Sequence, residues 1–535
     1  MSTDPTPTPT APTMTVEEEQ EEKRQLVLSI VRQHCTVDSH CKGLAAIGRI
    51  IAAAEDAEAA VLECTMIAGG KTNYSYKVSA TAPQKEGEGG EEEATSAAVF
   101  AKIGFDFALW NPDRSVYYDQ QRIANEYTLM AQMADLTDDM IAEPYHLIDL
   151  DAHSKVIISE WVEDDEQWTE QFIDGTVDGR VVPKLAAALL TLHTVNDFDP
   201  TFNDNARPCL VSLFPQFKDI FAAMIASYHA GTSDPHDASI PFAVHTIGQD
   251  QYNRMMDRME HDYMHTRDCL IHNDTICVNL LVERRRDNNG TQHEFGTKGS
   301  IHICDWEMAV AGPRGADLGK VICFPIACAI CHAMNGNRTK AYHILETIEQ
   351  FWDCYEEASL QHDPTTDMTK LYKQMLGWST FLLYNVFYQL NIFHDVMPLD
   401  QVSAELDTQA KGTYAKIGLE LMQVVYGDDN SDHNHNSAAA SSTSSSSSYP
   451  ECKELFHTVM TTKMEELLAV GAAVKTDEEA HRKFSRRRSS LFRAASRRPG
   501  GRRVSVSEEI VANVQRRMSA LQEQQQQIED EDKTE

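Results

Sequence analysis

The sequence predicts an α+β fold of two lobes, a small antiparallel sheet lobe leading into a larger, mainly helical one. Three observations predict it. Strand-like segments are concentrated between residues 61 and 159, and helical patterning dominates from about 168 to 425. Only one pair of short strands, Leu280-Leu-Val282 and Ser300-Ile-His-Ile-Cys304, interrupts the helical part. Finally, 535 residues of which 42% are hydrophobic suffice for one large two-lobed domain with tails. Strands first and helices later is the order of a small sheet packed on a helical body.

The elements follow in order. Residues 1–24 are rich in Thr, Pro and Glu, and disorder is expected there. The amino-terminal lobe spans 25–165. It opens with amphipathic helical patterning over 25–50, then reads as strand, glycine turn, strand over 61–78. Gln84-Lys-Glu-Gly-Glu-Gly-Gly-Glu-Glu-Glu93 is a solvated hairpin loop before the strand Ala97-Ala-Val-Phe-Ala-Lys-Ile103. Residues 119–133 form a helix with Ile123, Tyr127 and Met130 on one face. Lys155-Val-Ile-Ile-Ser159 is a further strand. The helical lobe spans 166–427. A Ser-rich linker follows over 428–450, one helix over 451–475, and a basic then acidic tail over 476–535 that is largely disordered.

The bulk properties exclude several functions. Acidic residues number 82 against 47 basic ones, a net charge of −35, so the surface as a whole does not suit nucleic acid. No uninterrupted apolar run reaches about 18 residues, so no transmembrane span is expected. The N-terminus lacks the basic start and apolar centre of a secretory signal. Twelve cysteines without a framework of spaced pairs favour a reducing, cytoplasmic compartment.

Chemistry concentrates in Leu270-Ile-His-Asn-Asp-Thr-Ile-Cys-Val-Asn-Leu-Leu-Val282 and Ile301-His-Ile-Cys-Asp-Trp-Glu307. A loop Asp is followed five residues later by Asn at the start of a strand, and a second Asp ends the next strand. Phosphoryl transfer needs such parts: one carboxylate to orient and deprotonate a hydroxyl, and a second carboxylate with an amide oxygen to hold Mg²⁺ against phosphates. Asp274 takes the first role. Asn279 and Asp305 take the metal, with Glu307 reaching it directly or through water.

Upstream features agree with this chemistry. Ile67-Ala-Gly-Gly-Lys-Thr-Asn-Tyr-Ser-Tyr-Lys-Val78 is a Gly-Gly turn between strands. The bare backbone at Gly69 and Gly70 can approach phosphates, with Thr72 and Asn73 adding polar contacts. Lys102 lies mid-strand in an apolar run, where pairing with nucleotide phosphates gives a lysine a reason to be. Glu126, on the next helix, is its natural partner, and Glu143 is the rival. Ser159-Glu-Trp-Val162 ends a strand before a polar stretch, which makes Glu160 and Val162 hinge positions whose backbone can bond adenine.

This set resembles the aminoglycoside phosphotransferase/choline kinase superfamily over about residues 40–425, which implies the protein-kinase-like two-lobed fold with ATP and Mg²⁺ in the cleft. Leu185-Ala-Ala-Ala-Leu-Leu-Thr-Leu-His193 is similar to the helix preceding that superfamily's catalytic loop. Within it, Ala311-Gly-Pro-Arg-Gly-Ala-Asp-Leu-Gly319 and Ile344-Leu-Glu-Thr-Ile-Glu-Gln-Phe-Trp352 resemble methylthioribose kinase, as does the Lys102–Glu126 spacing with Trp110-Asn-Pro112. By that resemblance Asp317 braces the catalytic loop, and the acceptor is the anomeric hydroxyl of 5-methylthioribose, in methionine salvage. Other residues resemble choline and ethanolamine kinases: His272-Asn273-Asp274, Asn279 and the Gly70-Lys-Thr-Asn73 turn. An arginine pair used by methylthioribose kinases is missing where Thr413-Tyr-Ala-Lys-Ile-Gly418 stands, with Lys416 as a substitute. A choline- or ethanolamine-type kinase is therefore the alternative, and a nucleotide-binding regulatory protein without transfer activity is a second one. Trp306, Trp352, Trp378 and Tyr384 suit the lining of either acceptor site.

Two remaining signals lie elsewhere. Cys328-Ala-Ile-Cys-His332 matches a haem-attachment pattern, but its apolar helical setting favours core thiols. Residues 481–503 hold nine Arg and one Lys with no acid. Ser489, Ser490 and Ser505 follow arginine pairs there and are candidate substrates of a basophilic protein kinase. Homodimerisation is left open.

Overall fold

The computed structural model describes residues 16–53, 61–67, 72–81, 96–106, 119–137, 140–163, 165–195, 198–235, 237–284, 286–288, 292–295, 298–389, 404–426 and 449–474. The hairpin loop 84–93, the Trp110-Asn-Pro112 segment, Gly69 and Gly70, the Ser-rich linker and the basic tail with Ser489, Ser490 and Ser505 lie outside these residues.

The amino-terminal lobe is a five-stranded antiparallel sheet in the order β1-β2-β3-β5-β4. Its strands are β1 (Val61–Met66), β2 (Asn73–Thr81), β3 (Ser96–Phe105), β4 (Pro144–Asp151) and β5 (Ser154–Glu160). Two helices, α1 (Val16–His34) and α2 (Lys42–Ala53), bury Val27, Val31, Leu44 and Ile47 against Tyr76, Val78, Val99 and Ile103 of this sheet. The helical patterning of 25–50 thus resolves into two helices broken at residues 35–41. Helix α1 also begins at Val16, inside the segment expected to be disordered. The acidic run is the cause, because Glu21 bonds Arg24 and Gln25 one turn on, and acids suit the positive end of a helix.

Helix α3 (Gln121–Ala134) packs against β4 and β5 and reaches β3 through Ile123. Its close approach depends on Gly104, where a Cβ would sit 2.3 Å from the Ile123 side chain. Residues 161–164 then lead from β5 to β6 (Asp165–Gln167), which pairs with β8 (Leu280–Glu283), itself paired with β11 (Ile301–Ile303). A further pair joins β7 (Cys269–Ile271) to β12 (Val310–Gly312), and β9 (Arg286–Asn288) pairs β10 (Gln292–Glu294) in the polar insert. Strands β4, β6, β7, β9, β10 and β12 are additions to the elements read from sequence.

The second lobe is helical: α4 (Trp168–Asp174), α5 (Val181–His193), α6 (Arg207–Val211), α7 (Leu213–His229), α8 (Ser239–Phe242), α9 (Gly248–His265), α10 (Arg314–Met334), α11 (Arg338–His362), α12 (Met368–Phe381), α13 (Ala404–Tyr426) and α14 (Tyr449–Val474). Its centre is α10, nearly every residue of which is buried. By length and composition α10 could cross a membrane, yet its apolar window lies wholly inside the lobe. Cys328 and Cys331 are buried there as free thiols, and His332 meets the Phe172 carbonyl at 3.0 Å. The molecule is therefore an α+β fold of two lobes, an antiparallel sheet over a helical body.

Candidate active site

Strand β3 carries Lys102 to the floor of the cleft between the lobes, 6% exposed. Its ammonium bonds both Glu126 oxygens at 2.9 and 2.8 Å and Asp305 Oδ1 at 2.5 Å, with Glu307 Oε2 at 3.4 Å. Glu126 is thus the partner, while Glu143 lies at the hinge, where its carbonyl accepts the Glu160 N–H at 2.8 Å. Burial alone would lower the Lys102 pKa, but Asp305, Glu126 and Glu307 outweigh it and hold the group well above its usual value. Burial pushes Glu126 up, to about 7, against the pull of Lys102, because Asp305 and Glu307 crowd the same ammonium.

Glu307 is the meeting point of both lobes. It accepts from Thr72 Oγ1 at 2.9 Å and from Asn73 Nδ2 at 2.7 Å, and the Arg122 guanidinium stands 3.3 Å from Oε2. Arg122, one turn before Glu126 on α3, also bonds Asn73 Oδ1 at 3.0 Å. Burial raises the Glu307 pKa, but Lys102, Arg122, Asn73 and Thr72 together take it down to about 2. The side chains of Thr72 and Asn73 are therefore turned to the lower lobe. Asn203, in a left-handed conformation (φ 53°), holds the Glu307 and Ala309 carbonyls at 2.8 and 2.9 Å and receives Asn125 of α3.

The two loops with the acidic residues are laced together by backbone. Strand β8 starts just after Asn279 and pairs with β11 just before Asp305, and the Cys304 N–H donates to the Asn279 carbonyl at 3.0 Å. Asn279 Nδ2 donates to the Asp274 carbonyl at 2.9 Å and to Asp274 Oδ2 at 2.8 Å. Burial, then the nearby Asp305 charge, raise the Asp274 pKa to about 6 against Lys320 and the Asn279 bond. Asp305 itself has φ 66°, a left-handed turn that an aspartate tolerates, and its side chain is 38% exposed.

The His272–Asp274 loop is held from α10. Both oxygens of Asp317 accept backbone N–H groups, His272 N at 2.7 Å and Asn273 N at 2.7 Å, and His193 at the end of α5 stands 3.2 Å away. This is the bracing role implied for Asp317. Lys320, one turn on, bonds the Asn273 carbonyl at 2.5 Å and Oδ1 at 2.7 Å. Asn273 adopts φ 63°, and its amide also bonds the Tyr263 hydroxyl at 2.8 Å. Sequence reading missed Arg122, Asn203 and Lys320. A buried Arg and a buried Lys on apolar helix faces were the available signals.

The remaining expected residues fall as follows. Glu160 ends β5 and Val162 lies in the link to β6; among the described residues Val162 enters no backbone hydrogen bond. Trp306, Trp352, Trp378 and Tyr384 are buried, at 2% exposure or less, so they form core and not an open lining. Trp352 is capped by the Tyr449 hydroxyl at 2.7 Å, and Trp378 lies under Lys320. Lys416 faces Glu420 at 3.7 Å and the Phe242 ring.

The donor set fits a divalent cation. Ligand oxygens of Glu126, Asp305 and Glu307 lie within 4.8 Å of one another. Among the described residues Lys102 and Arg122 are the cations paired with these three carboxylates, and Asp305 keeps an exposed edge. Hard oxygen donors of this kind suit Mg²⁺.

No family model matches the sequence, and no curated protein matches it. Among solved structures it is similar to the ADP-bound aminoglycoside phosphotransferase APH(2'')-Ib, at 10% identity over 71% of this chain and 98% of that one, with a TM-score of 0.32. A glucosamine kinase is 11% identical over 67% and 95%, with a TM-score of 0.36. An aminoglycoside-3'-phosphotransferase of type VIII is 13% identical over 67% and 93%, with a TM-score of 0.30.

Proposed function

We propose that the chain is an ATP-dependent phosphotransferase that moves the γ-phosphoryl group to the hydroxyl of a small alcohol or sugar. The observation that carries this is the convergence of Asp274, Asn279 and Asp305 beside the Lys102–Glu126 ion pair in one cleft. ATP would lie between the lobes, with adenine against the Glu160–Val162 backbone and phosphates at Lys102 and the turn containing Gly69, Gly70, Thr72 and Asn73. Asn279 and Asp305 would hold Mg²⁺, which neutralises phosphate charge when bound. Glu307 would reach the ion directly or through water, since its Oε1 accepts from Thr72 and keeps a second lone pair.

Asp274 performs the proton step. Its Oδ2 is fixed by Asn279, which leaves Oδ1 to orient the acceptor hydroxyl and take its proton as the phosphoryl group moves in line. A pKa of about 6 keeps it ionised at neutral pH yet basic enough to accept that proton. Lys102, held by Glu126, supplies a fixed positive charge for the phosphates.

The finer acceptor assignment is 5-methylthioribose, on the strength of the Ala311–Gly319 motif, with choline or ethanolamine as the competitor suggested by His272-Asn273-Asp274. An ADP-release assay with all three acceptors decides between them. Turnover of methylthioribose supports the first. Turnover of an amine alcohol alone transfers the assignment to the second. Absence of ADP release and of nucleotide binding with every hydroxyl acceptor tried would sink the kinase reading itself.

A further inference from the structure

Away from the cleft, three imidazoles from three segments gather on the amino-terminal lobe. His34 ends α1, His40 lies in the α1–α2 connection, and His146 is on β4, the edge strand of the sheet. The His146 ring centre is 4.6 Å from that of His34 and 6.2 Å from that of His40. No hydrogen bond or carboxylate engages any of the three rings among the described residues. The β4–β5 register slips between Pro144 and His146. Such an irregularity re-aims side chains, and here both neighbours face the helices: the Tyr145 hydroxyl accepts the Gly43 N–H at 3.2 Å while His146 meets His34 and His40.

We propose that His34, His40 and His146 form a binding site for a borderline divalent transition ion, of which zinc is the type, tying the α1–α2 arm to the sheet edge. The spacing supports it. With a zinc–nitrogen bond of about 2.0 Å and the ring centre about 1.2 Å beyond the nitrogen, two tetrahedrally placed rings have centres about 5.2 Å apart. The His34–His146 and His40–His146 separations bracket that value; the nitrogens do not yet share one point, so binding requires the rings to turn towards a common centre. Imidazole nitrogen suits zinc and copper, and not the Mg²⁺ expected among the oxygens of the cleft. The negative end of the α1 dipole lies at His34 and favours a cation there. His40 is exposed, which leaves room for water as a fourth ligand. The proposal stands independently of the kinase reading.

The linker holds two further histidines, His433 and His435, that could bind metal weakly, so the test is Co²⁺ titration of the full chain with both replaced by Ala, followed by zinc competition. With Mg²⁺ in excess to occupy the oxygen donors of the cleft, the expected result is one tetrahedral Co²⁺ per chain, its d–d absorption lacking thiolate charge transfer and displaced by zinc. Affinity should fall at least about tenfold in His40→Asn and in His146→Asn, each of which removes one nitrogen ligand. His40→Asn alters only an exposed side chain, so it reads the site even if His146→Asn misfolds. Unchanged Co²⁺ affinity in His40→Asn, or a spectrum dominated by thiolate charge transfer from the free cysteines, would overturn the proposal.

Discussion

At the residue scale the cleft turns on how one carboxylate is tuned. Asp274 is lifted to about 6 by burial and by Asp305, so activity should fall as pH drops through about 6, where the proposed base becomes protonated. Replacing it by Asn should cut kcat about 10²-fold or more with little change in nucleotide affinity. A kcat in Asp274→Asn near that of the parent would remove the assigned base. The stability linkage has the opposite sense. A carboxyl whose folded pKa is raised favours folding while protonated, and that contribution is lost as pH rises through about 6. Asp274→Asn should therefore have a higher Tm than the parent at pH 8, and the gap should close towards pH 4. A mutant that loses activity and gains heat resistance together separates a chemical role from a structural one.

At the element scale, the site is assembled by what α3 and α10 present to the loops. Lys320 of α10 holds Asn273 in its left-handed turn, and its charge lowers the Asp274 pKa. Lys320→Met should reduce kcat about tenfold or more and move the acidic limb of the pH profile upward; an unmoved limb would leave Lys320 with a purely structural part. Glu307 plays the corresponding role between lobes, since it receives Thr72, Asn73 and Arg122. Glu307→Gln keeps the shape but weakens the ionic contacts, and KM for ATP should rise several-fold more than KM for the acceptor, as steady-state kinetics would show. What was legible in the sequence divides along the same line. Lys102, Glu126, Asp274, Asn279 and Asp305 lie in motifs where local spacing and strand ends fix their direction. Arg122, Asn203 and Lys320 gain their meaning only from contacts 47 to 104 positions away along the chain, or across packed elements, which no local period encodes. The four aromatics failed for the converse reason: ring chemistry suits an acceptor site and a core equally, and only packing separates the two.

At the scale of the whole molecule, the helix beyond the Ser-rich linker belongs to the helical lobe. One face of α14 buries Cys452, Phe456, Met460, Met464, Leu467 and Leu468 against α10 and α12. Its rim pairs with α11: Lys453 with Asp353 at 2.5 Å, His457 with Glu349 at 2.5 Å, Glu465 with Arg338, and Tyr449 with Trp352. The rim pairs are mostly exposed and contribute little. The buried face contributes far more, since each large apolar side chain removed from water is worth about 1.5–3 kcal/mol. Covalent tethering matters too, because a linker of some twenty residues keeps the helix at a high effective concentration over its groove. Two truncations separate these effects from the tail. A chain ending at residue 474 keeps α14 and should match the full chain in Tm and in ADP release. A chain ending at residue 426 exposes the faces of α10 and α12, and should melt at least several degrees lower and bind a hydrophobic dye. Adding α14 back as a free peptide should restore part of the Tm in a concentration-dependent way. Equal melting of the two truncations would show that α14 contributes nothing to the folded lobe.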